Sequence, residues 1–402
     1  MDQSLSERIK RGVWWIYLFL LPSQFGRHFF MNFSYVSGVR VDYLAPTLYL
    51  TDILFFVLLA LYWSVVKKNF IHATPTRMAI FLLFAINVLF AQFSILAAYS
   101  VFKFIQIYAV YVLARSMKLT PRFILQAFSA GAVIQLVLTL MQFSSSQSVQ
   151  GVFYLLGERF MTLTSPGVAK AAFLGREILR PYGTFSHPNS LAGFYVLVYS
   201  YALSIKTKSL WRALLMGISS LLIFISFSKL AILTYLFITI MYLIFYLLKP
   251  CRLCIIARLT VLVVVAGVFL QTQTDPLTFE KRLSLFKQAL LVITQRPVFG
   301  TGFGHHLFAT TEFINQYAYF FLQPVHNIFI LFMMQAGIIL SGIVGWQLWA
   351  VVNAHWKKIA LPLLVIFITG SGDHYWLTLQ QNMLLMGTIF GLLDKKSSSA
   401  YS

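Results

Sequence analysis

A histidine and an asparagine stand at the start of a strongly apolar run in the last quarter of the chain. His326 and Asn327 follow Pro324 and precede Ile328-Phe329-Ile330-Leu331. An imidazole at the mouth of a membrane helix can accept a proton near neutral pH, and the neighbouring amide can orient it or cap the helix. A histidine that merely caps the helix is the alternative interpretation.

Basic residues precede this histidine in the same polar segment, among them Lys281, Arg282 and Arg296. A phosphate group is bound best by guanidinium groups that can form paired hydrogen bonds with it. The combination of a titratable imidazole and upstream cations at a membrane surface predicts chemistry on a lipid-borne phosphate.

A second polar group lies at residues 180–193, Arg180-Pro181-Tyr182-Gly183-Thr184-Phe185-Ser186-His187-Pro188-Asn189-Ser190-Leu191-Ala192-Gly193. Asn189 or Ser190 can cap the helix that follows, and the free amides at its start favour an anion. Two prolines and Gly183 predict a rigid loop, as a binding surface requires. A turn with a helix cap and no chemistry is the alternative interpretation.

Two short turns carry further candidates. Lys229, in Ser226-Phe227-Ser228-Lys229, is costly at membrane depth unless it reaches water or a partner. It can extend to the interface, and it is also a candidate phosphate contact. In the turn at 370–376, Asp373 is a candidate for orienting a histidine or binding a sugar hydroxyl. Tyr375 and Trp376 are typical of interface anchors.

Composition assigns the chain to the lipid bilayer. It has 402 residues, of which 59% are hydrophobic and 10% charged, whereas a soluble domain has roughly a quarter charged. Apolar runs of about 20 residues recur along its length, which predicts a single all-α, polytopic membrane domain over 1–402 with about twelve transmembrane helices. The predicted spans are 13–30, 47–66, 78–96, 103–119, 123–143, 190–205, 211–227, 230–248, 259–271, 325–352, 359–371 and 375–393.

The net charge of +20 is distributed in a way that excludes nucleic acid as the partner. Basic clusters flank every second junction between spans, which predicts that both termini are cytoplasmic. These clusters are Arg8/Lys10/Arg11, Lys67/Lys68/Arg77, Arg115/Lys118/Arg122, Lys206/Lys208/Arg212, Lys249/Arg252/Arg258, Lys357/Lys358 and Lys395/Lys396. A lone pair, Cys251 and Cys254, predicts neither a zinc nor a redox site.

This topology leaves two long loops outside the cytoplasm, at 144–189 and 272–324. The second contains an amphipathic stretch at 279–291, which predicts a helix lying on the membrane surface. Pro297 ends it, and the glycines at 300, 302 and 304 predict a flexible turn. The glycines do not form a P-loop, because no preceding strand and no Lys-Ser/Thr pair accompany them.

Together these segments resemble the O-antigen ligase and polymerase superfamily of bacterial membrane glycosyltransferases. Residues 180–193 are similar to its Gly-Thr-Phe-x-(His/Asn)-Pro-Asn-x-Leu-Ala pattern, and Ser228-Lys229 falls where the family has Ser/Thr-Arg. Arg282, followed by 295–302, is similar to its Arg…Pro-x-x-Gly-x-Gly segment. His326-Asn327 with Gly337 is similar to the ligase His-Asn…Gly signature. The resemblance covers roughly 180–393.

The resemblance implies a GT-C-type fold, a glycan donor linked to undecaprenyl diphosphate, and no metal or other cofactor. It implies His326 as the base, with Arg282 and residue 229 on the diphosphate. Lysine at 229 keeps the charge but loses the two-pronged contact of arginine, for which Arg180 is the candidate to compensate. Asn327, His187, Asn189 and Asp373 are the predicted supporting residues. The acids outside the cytoplasm are scattered, so an aspartate-rich metal site is not expected.

We therefore expect glycosyl transfer on the periplasmic side of the bacterial cytoplasmic membrane, with inversion at the anomeric carbon. The acceptor is either a lipid A–core oligosaccharide, for a ligase, or a second lipid-linked glycan, for a polymerase. His326-Asn327 favours the ligase. A lipid-linked glycan transporter or flippase, in contact with membrane lipids but without chemistry, is the alternative. The absence of evident repeat symmetry and the charges at one face speak against it.

Overall fold

The computed structural model describes residues 5–71, 74–117, 119–205, 207–246, 277–312 and 322–394, with the isolated positions 260, 263 and 267. The chain is mostly helical. The α-helices within these ranges are α1 (Leu5–Leu20), α2 (Leu50–Leu61), α3 (Trp63–Ile71), α4 (Pro75–Leu89), α5 (Ser94–Ser116), α6 (Pro121–Ser145), α7 (Pro188–Ser204), α8 (Leu210–Ile225), α9 (Lys229–Tyr246), α10 (Leu277–Gln295), α11 (His306–Thr311), α12 (Ile328–Gly370), α13 (Tyr375–Thr378) and α14 (Gln380–Leu393).

Six short strands lie outside the helices: β1 (Gly26–His28), β2 (Tyr35–Val36), β3 (Val39–Arg40), β4 (Thr47–Tyr49), β5 (Lys170–Phe173) and β6 (Arg176–Leu179). They pair antiparallel as β1 with β4, β2 with β3, and β5 with β6. The all-α prediction missed them. Two hairpins turn on two residues with positive φ, Ser37-Gly38 and Leu174-Gly175, which is the turn geometry that hairpins favour.

Within the described residues, fewer helices are long and apolar enough to cross a membrane than the sequence predicts. Within the described ranges, α5, α6 and α12 are long and apolar enough to cross a membrane, and α2 with α3 qualifies as a pair bent by 81°. Shorter apolar helices are α4, α8 and residues 229–243 of α9. The predicted span 13–30 is wrong at its end, because α1 stops at Leu20 and β1 follows. The predicted span 259–271, the cysteine pair and Lys395/Lys396 lie outside the described residues, apart from positions 260, 263 and 267.

The two ends of α12 lie side by side, although 43 residues of straight helix would separate them by about 64 Å. Asn327 Nδ2, just before α12, donates a hydrogen bond to Ser371 O, just after it, at 3.2 Å. In the middle of the run, His355 Nδ1 lies 2.9 Å from Asp394 Oδ1, at the far end of α14. The run therefore turns back near His355 and brings its two ends to the same edge of the protein.

A backbone break at Gly337, with φ 72° and ψ 176°, interrupts the first limb of α12. The break frees the carbonyl of Met334, which accepts the N–H of Thr301 at 2.9 Å. A Cβ at Gly337 would lie 2.2 Å from Val298 O, so only glycine permits this approach. Hydrogen bonds hold the start of the segment at 300–304 along α12, and the flexibility predicted for this turn stays a prediction.

A buried polar network holds the start of α14 in place. Asp52 on α2 accepts hydrogen bonds from Lys103 Nζ on α5 at 2.9 Å and from Gln380 Nε2 on α14 at 2.6 Å. Gln106 Nε2 on α5 donates to the same carboxylate at 2.7 Å. Buried charges persist only when they are paired and hydrogen-bonded in this way. The network fixes the helix that follows the loop at 371–374, where the titratable groups gather.

Candidate active site

Three titratable side chains meet where the two ends of α12 lie together. One ring nitrogen of His326, one ring nitrogen of His374 and one carboxylate oxygen of Asp373 lie within 4.8 Å of one another. The two imidazole rings stand edge to face, with their centroids 5.2 Å apart. Within the described part of the chain, His326 Nδ1 is buried without a hydrogen-bond partner. This nitrogen is thus free to exchange a proton with a bound molecule.

The carboxylate of Asp373 is positioned by hydrogen bonds from two sides. The backbone N–H of His374 donates to Oδ1 at 2.8 Å, and Asn189 Nδ2 donates to Oδ2 at 2.9 Å. Asn189 in turn accepts a hydrogen bond from the guanidinium of Arg180 at 2.7 Å. Arg180, Asn189 and Asp373 therefore form a continuous chain from the predicted rigid loop to the histidine pair.

Arg180 is a buried cation that joins this chain to the turn before α9. Its Nε donates to the carbonyl of Ser226 at 2.9 Å. Burial is the main cause that lowers the pKa of the Arg180 guanidinium, to about 10. The side chain therefore remains charged at neutral pH, and its charge is available to stabilise an anion near Asn189.

Arg282, on α10, reaches the same loop from the other side. Its Nη1 donates to the carbonyl of Gly372 at 3.3 Å, and its Nε is buried without a partner among the described residues. The positive charge of Arg282 lowers the pKa of His326, of Asp373 and of His374. This guanidinium retains unused donors at the cluster, as binding of a phosphate group would require.

Lys229 lies beside the cluster rather than in it. It begins α9, is partly buried, and makes no hydrogen bond or ion pair within the described ranges. The next residue, Leu230, packs against Gly372, and Ser226 of the same turn is held by Arg180. The lysine thus lies between a residue held by Arg180 and a residue that packs against the loop carrying Asp373.

His187 serves as the cap of α7. Its Nδ1 accepts the backbone N–H of Asn189 at 3.1 Å, and its ring stands edge to face with Tyr182, with centroids 6.0 Å apart. Burial, followed by the charge of Arg180, lowers the pKa of His187 to about 3. The ring is therefore neutral at physiological pH and orients Asn189, which agrees with a supporting position.

The surroundings of His326 and Asp373 push the titration of both groups toward lower pH. Burial is the main cause that lowers the pKa of His326, while the carboxylate of Asp373 opposes this effect. Burial alone would raise the pKa of Asp373, but the positive charges that the nearby histidines acquire at low pH, together with that of Arg282, hold it below its usual range. A neutral imidazole thus faces a carboxylate that stays ionised. This pairing suits proton abstraction, because the carboxylate stabilises the imidazolium that forms.

Three residues near the cluster were missed as site residues. The ring of His374 faces that of Tyr43, with centroids 5.5 Å apart, and its Nδ1 shares a hydrogen bond with Thr378 Oγ1 at 2.7 Å. Burial, followed by the charge of His374, lowers the pKa of His306 to about 3. The adjacent pair Asp373-His374 was a usable sequence signal, whereas nothing local to Tyr43 or His306 indicates this proximity.

Asn327 acts as the cap of α12 and as its link to the loop at 371–374. Its Oδ1 accepts the N–H groups of Phe329 and Ile330 at 3.0 and 3.1 Å, and its Nδ2 donates to Ser371 O. We expect Asn327→Ala to lower the free energy of unfolding by about 1 kcal/mol, because the cap is lost. The matched variant Asn327→Ser keeps a capping oxygen and is expected to change it by less than about half as much. Thermal unfolding in detergent measures both, and equal losses would contradict the capping role.

The cluster also has the composition of a metal site. Two histidines and one carboxylate, contributed by His326, His374 and Asp373, are a ligand set that divalent transition metals use. The charges of Arg282 and Arg180 act on the same groups and oppose the binding of a dication. The sequence did not predict this grouping, because its members come from segments 47 positions apart along the chain.

Fold and site together define a helical protein with helices long and apolar enough to cross a membrane and with a histidine–aspartate–arginine cluster where its loops meet. Residues 214–347 match the family model described as O-antigen ligase. The match supports the resemblance to the O-antigen ligase superfamily that the sequence motifs indicated, and members of that family are glycosyltransferase-like enzymes. The matched range contains Lys229, Arg282 and His326 and ends before Asp373. No curated protein matches the chain.

Proposed function

We propose that the protein is a glycosyltransferase of the O-antigen ligase type, which moves a glycan from undecaprenyl diphosphate to a sugar hydroxyl of lipid A–core. The observation that carries this proposal is the meeting of a neutral imidazole, an ionised carboxylate and guanidinium groups at His326, Asp373, Arg282 and Arg180. Lipid-linked glycans are the substrates on which the family acts, and a lipid-borne diphosphate matches the cations.

In this mechanism His326 takes the proton of the acceptor hydroxyl as that oxygen attacks the anomeric carbon of the donor. The bond between the anomeric carbon and the diphosphate oxygen breaks, and the diphosphate leaves with the electron pair. One displacement of this kind inverts the anomeric centre. The carboxylate of Asp373 stabilises the imidazolium formed at His326, and Asn189 holds that carboxylate in position.

The departing diphosphate gains negative charge, which Arg282, Lys229 and Arg180 neutralise. Arg282 has a buried Nε without a partner, and Lys229 has no ion pair within the described ranges. Groups that are fixed before the reaction stabilise the transition state without further reorganisation. A diphosphate is a good leaving group, so the mechanism needs no carboxylic acid to protonate it.

Donor binding also prepares the base. Burial keeps the pKa of His326 low in the free protein, which makes the imidazole a weak base. A diphosphate bound beside it raises the pKa of His326 toward neutrality, because a nearby negative charge favours the protonated form. The base thus becomes effective once the donor is in place, which limits wasteful reaction.

The proposal includes a GT-C-type fold with about twelve spans in the bacterial cytoplasmic membrane, with both termini in the cytoplasm. The segments 144–189 and 272–324 then form the two long periplasmic loops, and α10 lies on the membrane surface. The apolar face of α10 supports this arrangement. Phe279, Leu283 and Leu290 on that face are exposed, whereas Leu285 is buried against the protein. Catalysis proceeds without a metal or other cofactor, so transfer is expected to survive a chelator.

A polymerase of the same superfamily is the alternative, with a second lipid-linked glycan as the acceptor. The glycan chains of a strain that lacks this protein distinguish a ligase from a polymerase. Loss of a ligase leaves no glycan repeats on lipid A–core, whereas loss of a polymerase leaves single repeats attached. Normal glycan chains in the deletion strain would contradict both.

Asp373→Asn is expected to lower the transfer rate on the order of 100-fold, because the imidazolium loses its counter-charge while the side chain keeps its size. The matched control is Asp42→Asn, an exposed acid that pairs with Arg40 at 3.4 Å, for which we expect less than about a twofold change. Transfer of a radiolabelled glycan by purified protein measures both. Donor binding by Asp373→Asn should persist, and a wild-type rate for this variant would remove Asp373 from the mechanism.

A further inference from the structure

An exposed tyrosine from the segment between β3 and β4 borders the histidine pair. The ring of Tyr43 stands edge to face with that of His374, with centroids 5.5 Å apart, and His374 in turn faces His326 at 5.2 Å. A single ring therefore separates Tyr43 from the proposed base. Tyr43 is 41% exposed, and its hydroxyl makes no hydrogen bond within the described ranges. The cluster thus continues outward into an aromatic ring that is open to solvent.

The backbone that presents Tyr43 is held in place on both sides. Tyr43 lies in a short 3-10 turn, Asp42–Leu44. Ser34 Oγ donates a hydrogen bond to the carbonyl of Leu44 at 3.3 Å, and the carbonyl of Ser34 accepts the N–H of Val41 at 2.9 Å. The side chains of Val41 and Leu44 are buried in an apolar cluster with residues of α5 and α11. Because its neighbours are anchored, the turn itself directs the ring of Tyr43 to the surface.

His374, which lies between Tyr43 and the base, has one of its two nitrogens already engaged. Thr378 Oγ1 donates a hydrogen bond to the carbonyl of His374 at 3.2 Å, and the same oxygen lies 2.7 Å from His374 Nδ1. Since a hydroxyl group has one hydrogen, Nδ1 supplies the hydrogen of this second bond. In the neutral ring, Nε2 then carries the lone pair. Nε2 can therefore accept a hydrogen bond from a hydroxyl group of a ligand.

The guanidinium groups proposed to hold the donor diphosphate contact other members of the cluster. They hydrogen-bond to the carbonyl of Gly372 and to the side chain of Asn189. Within the described part of the chain, neither hydrogen-bonds to His374, the ring through which Tyr43 borders the cluster. An inverting displacement requires the attacking oxygen and the departing diphosphate to lie on opposite faces of the anomeric carbon. The acceptor therefore needs a surface at the cluster that the diphosphate contacts do not occupy.

We propose that Tyr43 and His374 form the subsite for the acceptor sugar, with Tyr43 as a stacking platform and His374 Nε2 as a hydrogen-bond acceptor; this inference rests on the function proposed above. The apolar face of a sugar ring packs against an aromatic ring, whose polar end can bond to a hydroxyl. The carboxylate of the adjacent Asp42 pairs with Arg40 and Arg159 and is not part of this subsite.

The subsite contributes by orienting the acceptor. A sugar that stacks on Tyr43 and bonds to His374 places a further hydroxyl, or that of the next sugar, beside His326. Orientation of this kind brings the two reactants together before the chemical step. The donor does not use these contacts, so their loss changes the apparent affinity for the acceptor and leaves that for the donor unchanged.

The test measures the KM for lipid A–core at saturating donor, with purified protein in nanodiscs. Tyr43→Ala and Tyr43→Leu are each expected to raise this KM about tenfold, because the stacking face is lost. Leucine keeps apolar bulk against His374, so equal losses in both variants identify stacking rather than packing. Tyr43→Phe keeps the ring and is expected to stay within about twofold of the wild type. The KM for the donor is expected to be unchanged in all three variants.

Tyr35 provides the matched control. It is a tyrosine of β2 on the same segment and is 46% exposed, and among the described residues its ring does not contact the cluster. Tyr35→Ala is therefore expected to keep the wild-type KM for the acceptor. An unchanged acceptor KM in Tyr43→Ala and Tyr43→Leu, or an equal rise in Tyr35→Ala, would overturn the proposal.

A photoreactive phenylalanine analogue at position 43 gives a second readout that does not depend on transfer. In nanodiscs that contain lipid A–core and no donor, we expect the acceptor to become attached at position 43 and several times less at position 35. Equal capture at both positions would contradict the subsite. Failure of the proposed function would appear differently, as a wild-type protein that transfers no glycan to lipid A–core, and capture at position 43 would still decide whether this sugar occupies the site.

Discussion

Replacement of His326 by alanine is expected to lower kcat for glycan transfer by about 1000-fold, while donor binding persists. The variant removes the group that accepts the proton of the acceptor hydroxyl. It leaves the side chains of Arg282 and Arg180 unchanged, and those two carry the proposed contacts to the diphosphate. Release of undecaprenyl diphosphate from a purified donor measures the rate, and equilibrium binding of the donor measures the affinity.

The matched control for this variant is His28→Ala, a histidine of β1 whose ring stacks on Phe30 with centroids 5.8 Å apart. We expect it to retain transfer within about twofold, because it lies outside the described cluster. A transporter would tolerate both substitutions. Normal transfer by His326→Ala would end its assignment as the base.

The pH dependence of kcat/KM provides an independent check on His326. Burial lowers the pKa of this imidazole from its usual value of 6.5, so in the free protein it remains neutral as the pH falls through 6.5. Asp373, His374, His187 and Arg282 all face it, and only Asp373 opposes the shift. We therefore expect kcat/KM to stay constant between about pH 8 and pH 6. A decline centred near pH 6.5 would indicate an imidazole with an ordinary pKa.

Substitution of Arg282 by alanine is expected to reduce kcat by about 100- to 1000-fold, the effect of removing one fixed donor from a developing anion. The buried Nε of Arg282 has no partner among the described residues, and its Nη1 meets Gly372 O at 3.3 Å. Arg282→Lys keeps the charge but cannot form the paired contact, so we expect a loss intermediate between alanine and the wild type.

Arg296 offers a control on the same segment, immediately after α10. It is exposed and pairs with Glu312 at 3.0 Å, and such surface pairs contribute little. Arg296→Ala is therefore expected to transfer at nearly the wild-type rate. If Arg282→Ala and Arg296→Ala lose activity equally, the loss reflects the general positive charge of the segment rather than a specific contact with the diphosphate.

Local sequence patterns identified most of the residues that the structure gathers. His326, Arg180, Asn189 and Asp373 stand at junctions between apolar runs and polar turns, where a titratable or charged side chain is unusual. Their type and position are local properties, so the sequence indicates them. Their function stays a prediction until the variants above are measured.

The predicted spans 78–96 and 123–143 begin two or three residues inside α4 and α6, because a hydropathy window does not detect the proline and capping residue at which each helix starts. Thr74 and Thr120 each precede a proline and accept the N–H of the third residue after them, at the starts of α4 and α6. The number of spans could not be predicted from hydropathy, because a hydropathy profile does not show the 81° bend between α2 and α3. The sequence analysis also missed the short strands, because two to four residues are too few to show the alternating pattern of a strand.

The sequence by itself indicated the class of protein, the candidate chemistry and the residues proposed for it, because composition and local motifs depend only on neighbouring positions. Tertiary structure decided which of these residues meet. Asp373 reaches His326 because α12 turns back on itself, and the segment at 297–302 is fixed because Gly337 opens the helix to it. Such contacts join positions far apart in the chain, and packing among several helices selects them.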